Sequence, residues 1–255
     1  MKPAILQVKG LTKRFGGLTA VSNLDFDVCE GEILGLIGPN GAGKSTTFNL
    51  IAGTYAATSG EVRFAGEPIL GLPPHQIAAR GVLRTFQHNR PFGGMPVIDN
   101  VLVGAHTRFR ASLVRVLFAG AHAEEVERRE KAQALIEFVG LAEQRDAAVE
   151  TLSFGQGRLL EIARALAGEP RLMLFDEPAA GLTLAECDRV AAVIRSIATR
   201  GIAVLLIEHD MHFLLPLAQR VAVLNFGVKI ADGVPDEVRA HPAVLDAYLG
   251  SHAAA

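Results

Sequence analysis

Cysteine is scarce in this chain of 255 residues. The two cysteines, Cys29 and Cys187, lie far apart in the sequence, and neither belongs to a CxxC pair or to a cluster with histidine. Disulfide frameworks and zinc sites require such groupings, so the sequence predicts neither of them. This use of cysteine favours a reducing, cytosolic compartment.

Long apolar runs and an excess of one charge are also missing. The longest apolar runs, such as residues 202–207, are far shorter than the about 18 residues that a membrane span requires. The 25 basic and 27 acidic residues give a formal net charge of −2, which provides no overall attraction to nucleic acid or anionic lipid. Residues 1–5 enter an alternating pattern without a secretory signal. We therefore expect a soluble chain that is not exported and does not coat nucleic acid.

The chain does contain alternating strand and helix patterns. Residues 33–37, 172–175 and 202–207 are short continuous apolar runs, typical of central parallel strands that are covered on both faces. Residues 21–28 instead place apolar side chains at every second position, which is typical of a half-buried strand at the outside of a sheet. Helical spacing follows at Leu159, Ile162, Ala163 and Leu166 and again over residues 185–198. This order predicts an α/β fold with three layers.

A segment from about residue 97 to residue 141 differs from the rest because it lacks β-rich runs and carries a charged helical face at 123–130. We interpret it as a helical subdomain inserted in the α/β core, with outer bounds at about 88–155. Within it, Arg108, Arg110 and Arg115 interleave with apolar residues, which fits either a surface for a membrane partner or a helix packed on its own subdomain; we favour packing. The predicted single domain covers residues 4–250, and residues 251–255 form a frayed tail.

A phosphate-binding motif of the form GxxxxGK[ST] lies directly after the strand at 33–37. Glycines at these positions allow successive backbone N–H groups to point at phosphate oxygens, and the N-terminus of the next helix adds a favourable dipole. Lys44 is expected to reach the β- and γ-phosphates and Ser45 to bind Mg²⁺. The predicted phosphate loop, with the residue after it, consists of Gly38, Pro39, Asn40, Gly41, Ala42, Gly43, Lys44, Ser45 and Thr46.

Two adjacent carboxylates, Asp176 and Glu177, follow the buried strand at 172–175. Phosphoryl transfer from a nucleotide needs a second metal contact and a group that activates water. At the carboxyl edge of a strand, Asp176 can hold the Mg²⁺ shell while Glu177 turns toward the attacking water.

The segment Leu152-Ser153-Phe154-Gly155-Gln156, which opens a helix upstream of Asp176, resembles the signature motif of ABC-type ATPases. Further elements of that family follow in the expected order. Gln87 resembles the residue of the Q-loop, Ala180-Gly181-Leu182 resembles the D-loop, and His209 resembles the switch histidine. Phe15 stands where the family places an aromatic that stacks on adenine, although a core phenylalanine remains the alternative.

This resemblance implies a P-loop NTPase core with an antiparallel β portion and an inserted helical subdomain. It implies that the chain is an ATPase that uses ATP and Mg²⁺, with Ser45, Gln87 and Asp176 at the metal. Glu177 is the expected general base, Gln87 senses the metal and the γ-phosphate, and His209 contacts the γ-phosphate. Ser153, Gly155 and Gln156 are expected to contact nucleotide held by a facing subunit.

Four short segments, at 81–87, 100–106, 207–211 and 227–233, resemble the ATP-binding subunits of branched-chain or hydrophobic amino-acid importers. More specifically, they resemble the longer ATPase partner of that subfamily. Three positions depart from the usual pattern. Phe154 replaces a glycine, Thr183 replaces an aspartate that is common in the D-loop, and Pro96 replaces a residue with a free N–H.

The importer resemblance implies a set of partners. These are a second ABC ATPase subunit, homologous or identical, transmembrane permease subunits, and indirectly an extracytoplasmic solute-binding protein, but no nucleic acid. The chain would then be peripheral on the cytoplasmic face of the cell membrane. An exporter ATPase of the lipopolysaccharide type and a mechanical ABC ATPase acting on nucleic acid or ribosomes remain as alternatives. The mechanical class usually has paired cassettes, coiled-coil insertions or basic arms, which this sequence lacks.

Overall fold

The computed structural model describes residues 3–85, 91–105 and 121–249. Three predictions lie outside these residues. They concern the Q-loop residue Gln87, the interleaved arginines at 108–115 and the frayed tail at 251–255.

The described residues contain ten strands, which form two sheets. Their bounds are β1 (Ala4–Phe15), β2 (Leu18–Cys29), β3 (Ile33–Ile37), β4 (Ser59–Phe64), β5 (Glu67–Pro68), β6 (Val82–Arg84), β7 (Leu172–Asp176), β8 (Ala203–Ile207), β9 (Arg220–Asn225) and β10 (Val228–Gly233).

Nine α-helices lie within the described ranges, together with 3-10 turns at Ala142–Gln144 and Val149–Thr151. The helices are α1 (Lys44–Ile51), α2 (Pro74–Ala79), α3 (Val97–Gly104), α4 (Ala121–Phe138), α5 (Phe154–Ala167), α6 (Leu184–Thr199), α7 (Met211–Leu214), α8 (Pro235–Ala240) and α9 (Pro242–Leu249).

The larger sheet has six strands in the order β10-β9-β3-β8-β7-β6. The strands from β9 to β6 run parallel, and β10 pairs antiparallel with β9. The three runs predicted as central parallel strands are β3, β7 and β8, of which β8 begins one residue later than predicted. Every residue of these three strands is buried, which explains why they lack the alternation of a half-exposed strand.

The smaller sheet is antiparallel, in the order β2-β1-β4-β5. The predicted outer strand at 21–28 lies within β2, at the edge of this sheet. Leu24, Phe26 and Val28 are buried, as the alternation predicted. The alternation showed that one face is buried, but it did not show that β2 belongs to a second sheet.

The core lies on both faces of the larger sheet, and alternate residues of each strand serve opposite faces. Ile33, Phe175 and Leu206 belong to a cluster that includes residues of α5 and α6. Leu34 belongs to the other cluster, which includes Phe48 of α1 and the inner face of the antiparallel sheet. The predicted three layers are therefore present, with strands rather than helices making most of one outer layer.

The helices α3, α4 and α5 pack on one another through buried residues such as Val101, Ile136 and Leu160. The predicted charged face at 123–130 lies in α4. Pro96 precedes α3 in extended conformation, at the cap position, where no intrahelical N–H bond is lost. The outer bounds of a helical subdomain at 88–155 remain a prediction. Within the described ranges, we find no helix with the length and apolar character needed to cross a membrane.

Candidate active site

Three of the predicted motifs meet at one edge of the larger sheet. The parallel strands β3, β7 and β8 end there, and Ile207 of β8 is in register with Leu36 on one side and Asp176 on the other. The phosphate loop follows β3 and the loop of His209 follows β8, while the carboxylate pair lies at the end of β7. Ligands of open parallel sheets bind at such carboxyl ends.

The phosphate loop has the backbone geometry that its glycines predicted. Gly38, Gly41 and Gly43 have φ values of 146°, 79° and 100°, a region that side chains disfavour. At two of them a Cβ atom would also overlap the backbone, namely the carbonyl oxygen of Leu224 next to Gly38 and that of Ala20 next to Gly43. Gly43 is the residue that precedes α1, so the helix N-terminus faces the loop.

Lys44 lies inside this loop and is only 8% exposed. Its Nζ donates hydrogen bonds to the carbonyl oxygens of Gly38 at 2.6 Å and Pro39 at 3.0 Å. Burial lowers the pKa of Lys44, while the negative charges of Glu177 and Asp176 oppose that shift. The lysine of one motif and the carboxylates of the other therefore interact across the sheet edge.

Asp176 is buried at the end of β7, and its Oδ2 accepts a hydrogen bond of 2.6 Å from Arg84, which also forms a salt bridge with it. Arg84 lies at the end of β6, beside β7, and its second nitrogen donates to Oδ1 of Asn49 at 2.7 Å. Arg84 and Asn49 were not predicted as site residues. The neighbouring sequence does not mark these two residues. The order of strands places Arg84 beside Asp176, and Asn49 contacts Arg84 from α1.

Glu177 and His209 lie side by side. Glu177 has a φ of 49°, which is rare for a residue with a side chain, and its N–H donates to the carbonyl oxygen of Ile207 at 2.9 Å. The Nδ1 atom of His209 is 3.7 Å from Oε1 of Glu177 and 3.8 Å from Oε2 of Glu208. His209 is exposed and Glu177 partly exposed, so both can face a bound molecule.

Phe15 is the last residue of β1 and has 44% of its surface exposed, so it is not a core phenylalanine. Its ring meets Tyr55 edge to face at a centroid distance of 5.5 Å, and Nζ of Lys13 is 4.7 Å from its centroid. Tyr55 was not predicted to be near the site. These contacts orient the exposed ring.

The predicted signature motif forms the start of α5. Ser153 caps the helix: its Oγ accepts from the N–H of Gln156 at 3.2 Å, and its own N–H donates to Oε1 of Gln156 at 2.8 Å. The carboxylate of Glu186 lies against this helix start, with Oε1 3.5 Å from Oγ of Ser153 and a hydrogen bond from the N–H of Gly155. Hydrogen bonds from the N–H and hydroxyl of Thr183, and to a smaller extent those from Gly155 and Ser153, lower the pKa of Glu186.

The departures at Phe154 and Thr183 both have local explanations. The ring of Phe154 packs beside Gly181, and the Arg158 guanidinium lies 5.3 Å from its centroid. Thr183 caps α6 and, with Glu186, forms a capping box. Thr183 therefore serves as the N-cap of α6, a role that an aspartate can also fill. Glu186 was missed by sequence reasoning, although a Thr-x-x-Glu spacing at 183–186 is a signal for this cap.

The structure thus brings together Lys44, Ser45, Asp176, Glu177 and His209, with Phe15 at the exposed end of β1. The helix start at Ser153 is linked instead to the D-loop and to Glu186.

Comparison with known proteins agrees with this geometry. Residues 21–180 match the family described as ABC transporter, and residues 228–254 match the family described as Branched-chain amino acid ATP-binding cassette transporter. The chain resembles the high-affinity branched-chain amino acid transport ATP-binding proteins BraF of Pseudomonas aeruginosa and LivG of Escherichia coli K12. Identity is 43% over 253 residues for BraF and 41% over 258 residues for LivG, and each alignment covers 98% of this chain and 99% of the relative.

The lipopolysaccharide export system ATP-binding protein LptB of Haemophilus influenzae is more distant, at 34% identity over 97% of this chain and 98% of the relative. Among solved structures, the ADP conformation of MJ1267, an ATP-binding cassette of an ABC transporter, superimposes with a TM-score of 0.86. Its sequence is 32% identical, and the match covers 98% of this chain and 100% of that one.

The fold, the phosphate loop and the carboxylate pair define an ATP-binding cassette, an ATPase of the P-loop class. Within that class, the chain belongs to the ABC transporter family and is an ATP-binding subunit of the branched-chain amino-acid transporter type.

Proposed function

We propose that this ATPase binds and hydrolyses ATP with the residues at the carboxyl edge of the larger sheet. The observation that carries the proposal is that Lys44, Asp176 and Glu177 lie at one edge of the sheet, beside a loop whose glycines have positive φ values. Lys44 holds the β- and γ-phosphates, and backbone N–H groups of the glycine-rich loop and of the start of α1 bind the remaining phosphate oxygens. Phe15 stacks on adenine through its exposed ring.

The residues present fit Mg²⁺. Asp176 offers a carboxylate and Ser45 a hydroxyl on the first turn of α1, and oxygen atoms of this kind are the ligands that Mg²⁺ prefers. Mg²⁺ usually takes only one or two carboxylates from the protein and the rest of its shell from phosphates and water. When bound, the ion neutralises charge on the phosphates during transfer. Gln87 stays a predicted third ligand.

Glu177 accepts a proton from the attacking water, and His209 donates a hydrogen bond to the γ-phosphate. Their closeness supports these roles, because one molecule can contact both side chains at once. Positioning and charge neutralisation supply most of the rate of such a reaction.

The transported solute is proposed to be a branched-chain or other hydrophobic amino acid. The nearly full-length similarity to BraF and LivG, together with the match at 228–254, supports this over export of lipopolysaccharide. The chain then acts on the cytoplasmic face of the cell membrane. Its partners are transmembrane permease subunits, with an extracytoplasmic solute-binding protein acting indirectly.

Recovery of partners and solute uptake test this function together. The tagged chain, isolated from native membranes in mild detergent, is expected to co-purify with permease subunits, and cells that lack it are expected to lose uptake of radiolabelled leucine. A chain carrying Glu177→Gln should restore the complex but not the uptake, since only hydrolysis is blocked. Normal leucine uptake in the deletion strain, with uptake of another solute lost, would contradict the assignment of the solute.

We also propose that the ATP site is completed by a second subunit, in which Ser153 and the N–H of Gly155 meet the γ-phosphate. The phosphate loop uses the N-terminus of α1 for the nucleotide of its own subunit, so a nucleotide held elsewhere can meet the N-terminus of α5, where it takes the place of the Glu186 carboxylate. Gln156 supports this site from its cap rather than by direct contact. The second subunit is a homologous ATPase or another copy of this chain.

The shared site predicts that specific ATPase activity rises with protein concentration or on addition of the partner subunit. Ser153→Ala should lower turnover at saturating concentration by about 100-fold, the effect of losing one donor to a transition state, while monomeric protein keeps its ATP affinity. Thermal unfolding measured in parallel accounts for the lost helix cap, which costs about 1 kcal/mol. Specific activity that stays flat across the dilution series, with Ser153→Ala fully active, would refute the shared site.

A further inference from the structure

Glu208 is a buried carboxylate at the centre of the site. The steps proposed above for ATP binding and hydrolysis give it no role. It follows β8 directly, precedes His209, and is only 1% exposed. A carboxylate removed from water loses several kcal/mol of hydration unless it gains hydrogen bonds or an ion pair. Its contacts therefore show what the residue holds in place.

The two oxygens of Glu208 serve two different loops. Oε1 accepts a hydrogen bond of 2.9 Å from the N–H of Ala179, in the segment after Glu177. Oε2 accepts from the N–H of His209 at 3.1 Å and, at the long limit of 3.5 Å, from that of Asp210. Burial raises the pKa of Glu208 above its ordinary range, and these N–H donors and His209 oppose the shift.

The segment held by Oε1 carries a backbone conformation that needs support. Glu177 has a φ of 49°, and a side chain in this region costs about 1–3 kcal/mol, so the surroundings must impose it. Two hydrogen bonds fix the segment to the end of β8, one from the N–H of Glu177 to Ile207 and one from the N–H of Ala179 to Glu208. Only the second depends on a side chain.

We propose that Glu208 is a positioning residue for ATP hydrolysis, whose carboxylate bridges the loop of Glu177 and the loop of His209. The proposal rests on the roles given above to Glu177 and His209. The bridge keeps the imidazole of His209 within 4 Å of the carboxylates of Glu177 and Glu208. The general base Glu177 and the phosphate-contacting His209 therefore keep a fixed relative position. Because Glu208 acts through these two residues, its loss should change the catalytic step rather than ATP binding.

Glu208→Gln tests the bridge with little change in side-chain volume. The amide has one acceptor oxygen, so its NH₂ group must face the N–H donors of one of the two loops. We expect kcat to fall at least about tenfold, because a misplacement of about 1 Å can cost about 100-fold, with KM for ATP within about twofold of the unchanged chain. Glu208→Asp keeps both oxygens but shortens the reach. It should also lower kcat, and it provides the test if the glutamine variant does not fold.

Glu32→Gln is the matched control. Glu32 also accepts a backbone hydrogen bond, from the N–H of Cys29 at 2.6 Å, but it lies just before β3, at the opposite end from the carboxyl edge. This variant should lose thermal stability without losing kcat. If Glu208→Gln and Glu208→Asp leave kcat unchanged, or lower it only together with ATP affinity and unfolding temperature, Glu208 is a structural residue and the proposal is wrong.

A double-mutant cycle separates this proposal from the assignment of the base. If Glu208 positions Glu177, Glu208→Gln should reduce the residual rate of Glu177→Gln much less than it reduces the rate of the unchanged chain. Fully additive losses would overturn the positioning role alone. If Glu177→Gln itself turns over at a normal rate, the proposed base is wrong and the positioning role falls with it.

Discussion

Glu177→Gln is expected to lower the steady-state rate of ATP hydrolysis by on the order of 100-fold or more, because the change removes the general base. ATP affinity should be retained, since Glu177 lies beyond the phosphate loop and Lys44 still holds the phosphates. Glutamine has nearly the shape of glutamate and must adopt the same φ of 49°, so the comparison isolates the carboxylate. Phosphate release and equilibrium ATP binding, measured on the same preparation, check the prediction.

Glu130→Gln on the exposed surface of α4 is a suitable control, because it makes the same chemical change outside the site. It should leave both the rate and ATP affinity unchanged. Near-normal turnover by the Glu177 variant would mean that another group activates the water.

Lys44→Ala is expected to weaken ATP binding itself, by on the order of 10- to 100-fold. A hydrogen bond between charged partners contributes about 1.5–3 kcal/mol, and a tenfold change in affinity corresponds to about 1.4 kcal/mol. The substitution also removes the hydrogen bonds from Nζ to Gly38 and Pro39, which hold the loop together. Isothermal titration with ATP in the presence of Mg²⁺ measures the loss directly.

Lys44→Met separates the charge from the packing of the side chain, because methionine keeps an unbranched apolar stem in this largely buried position. If the charge binds the phosphates, the methionine and alanine variants should lose similar affinity. An affinity for ATP that is equal before and after both substitutions would rule out the phosphate contact.

The parts of the site that could be predicted from sequence are those whose geometry is local. The phosphate loop is one continuous segment whose glycines require positive φ, and Asp176 and Glu177 follow a strand whose burial is visible as an apolar run. In both cases neighbouring residues determine the conformation. The order of motifs along the chain then indicated the family and, through it, the role that we propose for His209.

The residues that were missed take their roles from contacts between distant parts of the chain. Arg84 and Asp176 are 92 positions apart, and Glu208 and Ala179 are 29 apart. Such pairs depend on the order of strands in the sheet, which periodicity does not reveal. Periodicity likewise did not assign β2 to the separate antiparallel sheet, although the family resemblance implied an antiparallel β portion. Glu208 had one weak signal, an acidic residue at the end of an otherwise apolar run.

The carboxylate of Glu186 at the start of α5 has a consequence for assembly. In the single subunit, the helix start already holds an anion of the same chain. If the γ-phosphate of nucleotide on a second subunit is to reach Ser153, one anion must leave as the other arrives, so association is a ligand exchange rather than a simple addition. The net electrostatic energy of association is then the difference between two states of the helix start, one with the γ-phosphate and one with the Glu186 carboxylate. We expect closure of the pair to depend less on ionic strength than it would without Glu186, because one negative charge leaves the helix start when the phosphate arrives.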